Sequence, residues 1–114
     1  MSTQKFATNA LHAGHDVTKH SGTRAVPIYQ TTSYVFNDSK HAANLFELAE
    51  TGFIYTRLNN PTNDILEQRL ATLEGGIGAV VTASGTSAIA TTLLVLLKAG
   101  DHIVVEDTNI SSHL

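Results

Sequence analysis

The chain has 114 residues, of which 42% are hydrophobic and 15% charged, a composition that suits a folded globular protein and excludes a disordered one. A formal charge of −3 and a pI near 6.0 argue against nucleic acid or an anionic membrane as a main partner. With no cysteine, these residues hold no disulfide, no thiolate metal site and no Cys nucleophile.

Met1 to Phe6 carries no apolar signal region, and the longest apolar run, Leu93 to Leu97, is far too short to span a bilayer, so a soluble, cytoplasmic protein is expected. Residues 1–37 follow neither a helical nor a strand period and are rich in His, Thr, Ser and Gly, which predicts an extended arm with short turns. Val26-Pro27-Ile28-Tyr29 and Thr31 to Phe36 are apolar and β-branched enough for burial, but Pro27 disfavours a central strand. Packing on a partner subunit would satisfy both facts. His12, His15 and His20 match no helical i, i+4 pair, and no acidic or thiolate residue completes a standard ligand set, so they read as loop histidines and no metal is expected.

Asn37-Asp38-Ser39 supplies a cap, and Ala42, Leu45, Phe46 and Ala49 recur at helical spacing, predicting a helix over 39–50 that ends near Thr51-Gly52. In Phe53 to Arg57, Tyr55 and Arg57 are two apart and share a face if the segment is extended. A guanidinium donates two hydrogen bonds to phosphate or carboxylate and a phenol adds a third, so the pair could clamp an anion. Two unrelated polar residues at a strand end would have the same spacing. Asn60 as cap, Pro61 at the first position and Asp64 in the first turn start a helix over 62–74, with Leu66, Leu70 and Leu73 on its inner face and Gly75-Gly76 at its end.

The run from Ala79 to Ile89 organises the rest: a β-branched stretch closing at Ala83, four small residues Ser84-Gly85-Thr86-Ser87, then an apolar helix over 87–98. The first amides of a helix have no partner within it and attract anions, and Gly85 lets a ligand approach the backbone. An ordinary helix cap is the competing reading. A P-loop is excluded because no Lys follows Gly85 before Lys98, and neither a three-glycine dinucleotide turn nor a G-x-S-x-G elbow is present. After Ala99-Gly100-Asp101, His102 to Val105 reads as a second strand. Strand, helix and strand predict an α/β fold with a parallel βαβ unit and its ligand at the strand carboxyl ends.

Ala25 to Tyr34, Tyr55-Thr56-Arg57, Asn60-Pro61-Thr62-Asn63, Leu73-Glu74-Gly75-Gly76 and Ala83-Ser84-Gly85-Thr86, together with Leu11-His12-Ala13-Gly14, resemble the pyridoxal-phosphate enzymes of cysteine and methionine metabolism. The resemblance is strongest to their O-acetylhomoserine sulfhydrylase branch and runs from about Phe6 to Val104. It implies an N-terminal arm and interface helix over 1–52, and over 53–114 the first βαβ part of a fold-type I pyridoxal-phosphate transferase large domain, incomplete. It also implies pyridoxal 5'-phosphate as cofactor. The amides of Gly85 and Thr86 in the Ser84 turn would hold its phosphate, and Tyr55 and Arg57 would reach the phosphate bound by the neighbouring subunit of a homo-oligomer, a homotetramer in this family. Tyr55 would also assist proton transfer. The implied reaction is γ-replacement, in which acetate leaves O-acetyl-L-homoserine and sulfide adds to give homocysteine.

Two departures bear on this. Where the family carries Tyr-Gly-Gly-Thr, with an aromatic ring for stacking on the cofactor, this chain reads Ile110-Ser111-Ser112-His113, and its last nine residues look unlike the family. The family's cofactor-bearing lysine lies further along than residue 114, and none of Lys5, Lys19, Lys40 or Lys98 stands at a matching position. The 114 residues are therefore expected to be the N-terminal part of such an enzyme and inactive alone. A related cystathionine γ-synthase or γ-lyase, or a non-catalytic fragment that binds phosphate or other subunits, are the alternatives.

Overall fold

The structure, a computed structural model, describes residues 4–105. They form α1 (Phe6–His12), a 3-10 turn (Val17–His20), α2 (Ser39–Phe46), α3 (Pro61–Glu74) and α4 (Gly85–Leu96). The chain divides into two compact units, one ending at Val80 and the other starting at Val81.

In the first unit α3 is the support. Asn60 is extended and accepts from the Thr62 amide at 2.9 Å, while Pro61 occupies a position whose missing N–H costs nothing. Gly75 ends the helix at φ +68°, a left-handed conformation that suits glycine. The arm is not extended as its sequence predicts, because residues 6–12 are helical. Two turns without a side-chain cap leave little periodic signal, and α1 is held by tertiary contact with α3 instead. Gly14, at φ +77°, brings the backbone so close that a Cβ there would lie 2.6 Å from the Ile65 carbonyl oxygen. Beside it the Arg69 Nε donates to the Ala13 carbonyl at 2.9 Å. Asp16 then caps the 3-10 turn; its bonds from the Thr18 hydroxyl and amide hold the carboxyl below the usual aspartate value.

This docking also corrects the expected inner face of α3. Ile65 is the buried apolar residue, at 3% exposure, whereas Leu66 and Leu70 are exposed and Leu73 is half-buried. The side of α3 that α1 and Gly14 approach is the side of Ile65 and Arg69, and that choice is tertiary. α2 starts as expected, with Asp38 accepting from the His41 amide at 2.7 Å, but stops at Phe46 rather than near Thr51. Leu48 turns left-handed at φ +58°, and the Ala49 amide reaches back to the Asn44 carbonyl, closing the helix in the six-to-one pattern usually made with glycine. Leu45 packs inward at 3% exposure; with Ile65 it makes up the buried apolar core of the described residues.

Residues 26–34 lie on the start of α3. The Thr62 hydroxyl donates to the Pro27 carbonyl and accepts from the Tyr29 amide, both at 2.9 Å, and Asn60 donates to the Tyr29 carbonyl. Ile28 and Val35 remain exposed, so burial of this segment is less complete than its composition predicts. The second unit contains α4, and its expected flanking strands do not form: neither 79–83 nor 102–105 belongs to a ladder among the described residues. A strand needs neighbours for its N–H and C=O groups along its length, and among the described residues neither run is paired in that way. Among the described residues β pairing occurs as an isolated antiparallel bridge between Ser33 and Tyr55.

Candidate functional site

The start of α4 has the donor pattern read from its sequence. Ser84 is extended at φ −157°, and its Oγ accepts from the Ser87 amide at 3.1 Å; its carbonyl takes the Ala88 amide at 3.0 Å. The two remaining first-turn amides, of Gly85 and Thr86, have no acceptor among the described residues. A Cβ on Gly85 would meet nothing within 4 Å, so no protein neighbour demands glycine there and the space beside the backbone is open to a ligand. The other long helices start differently. α2 is capped by an aspartate and α3 has proline first, a capped second amide and Asp64 in its first turn. A neutral cap, two open amides and the hydroxyls of Ser84 and Thr86 make a donor set that fits a phosphate group.

Tyr55 and Arg57 come together in the first unit, though not on an extended strand. Tyr55 pairs with Ser33 in the bridge, flanked by the Tyr34 amide on the Ile54 carbonyl at 3.2 Å and the Thr56 amide on the Thr32 carbonyl at 2.9 Å. The chain then turns, with the Leu58 and Asn59 amides both donating to the Tyr55 carbonyl. Arg57 is exposed and its Cζ lies over the Tyr55 ring, 5.4 Å from the centroid. The phenol and guanidinium are thus neighbours, and the guanidinium edge is free to meet an anion.

The sequence marks Asn60 only as a helix cap. It is 4% exposed, and its Nδ2 faces the Tyr29 carbonyl at 2.9 Å, the Tyr34 hydroxyl at 3.1 Å and the Thr56 hydroxyl at 3.2 Å. Local sequence gives no sign of this, since its partners lie up to 31 residues away. A cavity of about 380 Å³ lies between α3 and Gly76–Ala79, but Asp64 and Glu67 line it and it includes none of the five predicted residues. Among the described residues no group of His, Asp or Glu could hold a metal ion. The His15 and His20 rings lie 5.4 Å apart between centroids, tilted by 44°, and His20 Nδ1 lies 2.8 Å from the Tyr29 hydroxyl.

The family model for Cys/Met metabolism PLP-dependent enzymes matches residues 7–112. The chain belongs to this family. The match continues past Val104, where the similarity was expected to end, so most of the last nine residues fall within it; Ile110 to His113 lie outside the described residues. An O-acetyl-L-homoserine sulfhydrylase of Leptospira meyeri is 55% identical over 104 residues, 91% of this chain and 24% of its own. An L-methionine gamma-lyase of Fusobacterium nucleatum subsp. polymorphum is 47% identical over 110 residues, 95% of this chain and 28% of its own. Among solved structures, a Campylobacter jejuni protein assigned as an O-acetylhomoserine (thiol)-lyase superposes with a TM-score of 0.81 at 42% identity. The match covers 87% of this chain and 24% of that one, which carries a pyridoxyl-lysine phosphate. This likeness places the described residues as part of the fold of such enzymes, and the chain spans about a quarter of the length of the curated relatives it matches. Among the described residues no helix is long and apolar enough to cross a membrane.

Proposed function

We propose that these residues supply the phosphate end of the cofactor site in a cytoplasmic O-acetylhomoserine sulfhydrylase-like enzyme, which makes homocysteine and acetate from O-acetyl-L-homoserine and sulfide. The observation that carries this is the pair of open amides at Gly85 and Thr86 behind a neutral Ser84 cap, in a chain of this family. Pyridoxal phosphate, when bound, supplies the electron sink for γ-replacement. The chain's own part is to hold it: the two amides and the Ser84 and Thr86 hydroxyls donate to phosphate oxygens, and the α4 dipole favours the dianion. Arg57 and Tyr55 donate to the phosphate held by the neighbouring subunit of a homo-oligomer, so each site draws on two chains. The arm and interface helix of 1–52 serve that contact, and 53–114 begin the cofactor domain. No lysine here stands at the cofactor-bearing position, so the 114 residues alone bind without catalysing. The identity to an L-methionine gamma-lyase supports a second reading, a γ-lyase or cystathionine γ-synthase with the same phosphate contacts.

Arg57→Met in a full-length polypeptide carrying this segment tests the assignment. Loss of a charge-assisted contact of about 1.5–3 kcal/mol raises the cofactor dissociation constant roughly tenfold to hundredfold. Gel filtration followed by measurement of retained pyridoxal phosphate reads this directly, and unchanged retention would remove Arg57 from the site.

A further inference from the structure

The residue between the two clamp side chains does something neither of them does. Thr56 is half-buried, and its side chain is tied to the interior while Arg57 is exposed. Its hydroxyl donates to the Thr31 carbonyl and accepts from Asn60 Nδ2 at 3.2 Å. A hydroxyl has one proton, so the direction is fixed: Thr56 donates to Thr31 and accepts from Asn60, whose two amide protons are shared among Thr56, Tyr29 and Tyr34. Such a run polarises each bond in the same sense. Asn60 is itself immobile, because its Oδ1 caps α3 and its amide group also reaches Tyr29 and Tyr34.

We propose that Thr56 is a positioning residue whose hydroxyl, pinned between Asn60 and Thr31, turns Tyr55 and Arg57 to one side and sets their stacked arrangement. Its importance for cofactor binding rests on the reading of that pair as phosphate contacts. Thr56 opens the turn that follows the bridge at Tyr55, so holding its side chain inward fixes the start of the turn that carries Arg57 back over the Tyr55 ring. The backbone bonds of the bridge and turn set the general chain path, and the Thr56 anchor holds the first turn residue in the conformation that aims the Cα–Cβ bonds of Tyr55 and Arg57 toward each other, with the cation over the ring at 5.4 Å.

Thr56→Val and Thr56→Ser separate the hydroxyl from the fold. Valine keeps the shape, and Asn60 Nδ2 keeps two acceptors, Tyr29 and Tyr34, for its two protons. Thr31 is exposed, so water replaces the lost donor to its carbonyl. The 114-residue chain is read by NMR, using the upfield displacement that the Tyr55 ring face imposes on the Arg57 Hδ and Hε resonances, with circular dichroism as a control for folding. Thr56→Val is expected to return these resonances to their unstructured positions at unchanged helix content, and Thr56→Ser to restore the displacement. A displacement that survives in Thr56→Val overturns the proposal. The measurement needs no cofactor, so it is independent of the Arg57→Met retention experiment, whose failure would strike the phosphate reading alone.

Discussion

Replacing Asn60 with alanine is expected to destabilise the first unit by about 2–4 kcal/mol, from loss of a helix cap worth about 1 kcal/mol and of the donor to a Tyr29 carbonyl, about 1–3 kcal/mol. Asn60→Asp separates the two contributions. An aspartate keeps the oxygen that accepts from Thr62 but has no amide group, and it sets a carboxylate at a site 4% exposed, facing a carbonyl oxygen. Burying an unpaired charge is costlier than losing a neutral bond, so the aspartate variant should be no more stable than the alanine one. Urea denaturation gives the comparison through the midpoint at constant slope. An aspartate variant close to the parent would mean that the cap is the whole contribution and that the contacts to Tyr29, Tyr34 and Thr56 count for nothing.

Gly14→Ala is the second large effect, at about 2–5 kcal/mol. A left-handed alanine costs about 1–2 kcal/mol, and the new Cβ would sit 2.6 Å from the Ile65 carbonyl oxygen and 3.0 Å from the Gln68 Cβ. The first of these is helix backbone and cannot move aside without α1 leaving α3, which adds an overpacking cost of about 1–3 kcal/mol. Gly22→Ala is the internal control, since Gly22 is also left-handed, at φ +74°, yet a Cβ there meets nothing within 4 Å. The difference between the two variants in urea denaturation measures the packing part alone. Equal costs would show that the close approach of residue 14 to α3 contributes nothing.

The sequence made α3 and the start of α4 legible because their punctuation is local: Asn60-Pro61 and Gly75 bound the one, Ser84-Gly85 opens the other. It failed on α1, whose seven residues carry no side-chain cap and depend on Gly14 and Arg69 for their place. It failed on the two strands for a related reason, since periodicity identifies a segment able to pair but not a neighbour to pair with. Leu48 shows a third kind of failure: no residue preference predicts leucine in a left-handed helix stop, so α2 ends earlier than its sequence predicts. In the site, Tyr55 and Arg57 come together through the turn after Tyr55, with the inward anchor of Thr56, and not through the extended i, i+2 spacing on which the sequence expectation rests. Asn60 could not be found by spacing, because two of its three acceptors, Tyr29 and Tyr34, lie 31 and 26 residues before it.

The most direct test of the account is a titration of the isotopically labelled 114-residue chain with inorganic phosphate, following individual backbone amides by NMR. The open amides of Gly85 and Thr86 are expected to show saturable shifts, while those of Ser39 and Lys40, at the start of α2 behind the negatively charged Asp38, stay near their starting positions. Shifts at Gly85 and Thr86 no larger than those at Ser39 and Lys40 would contradict the claim that α4 begins as a phosphate site.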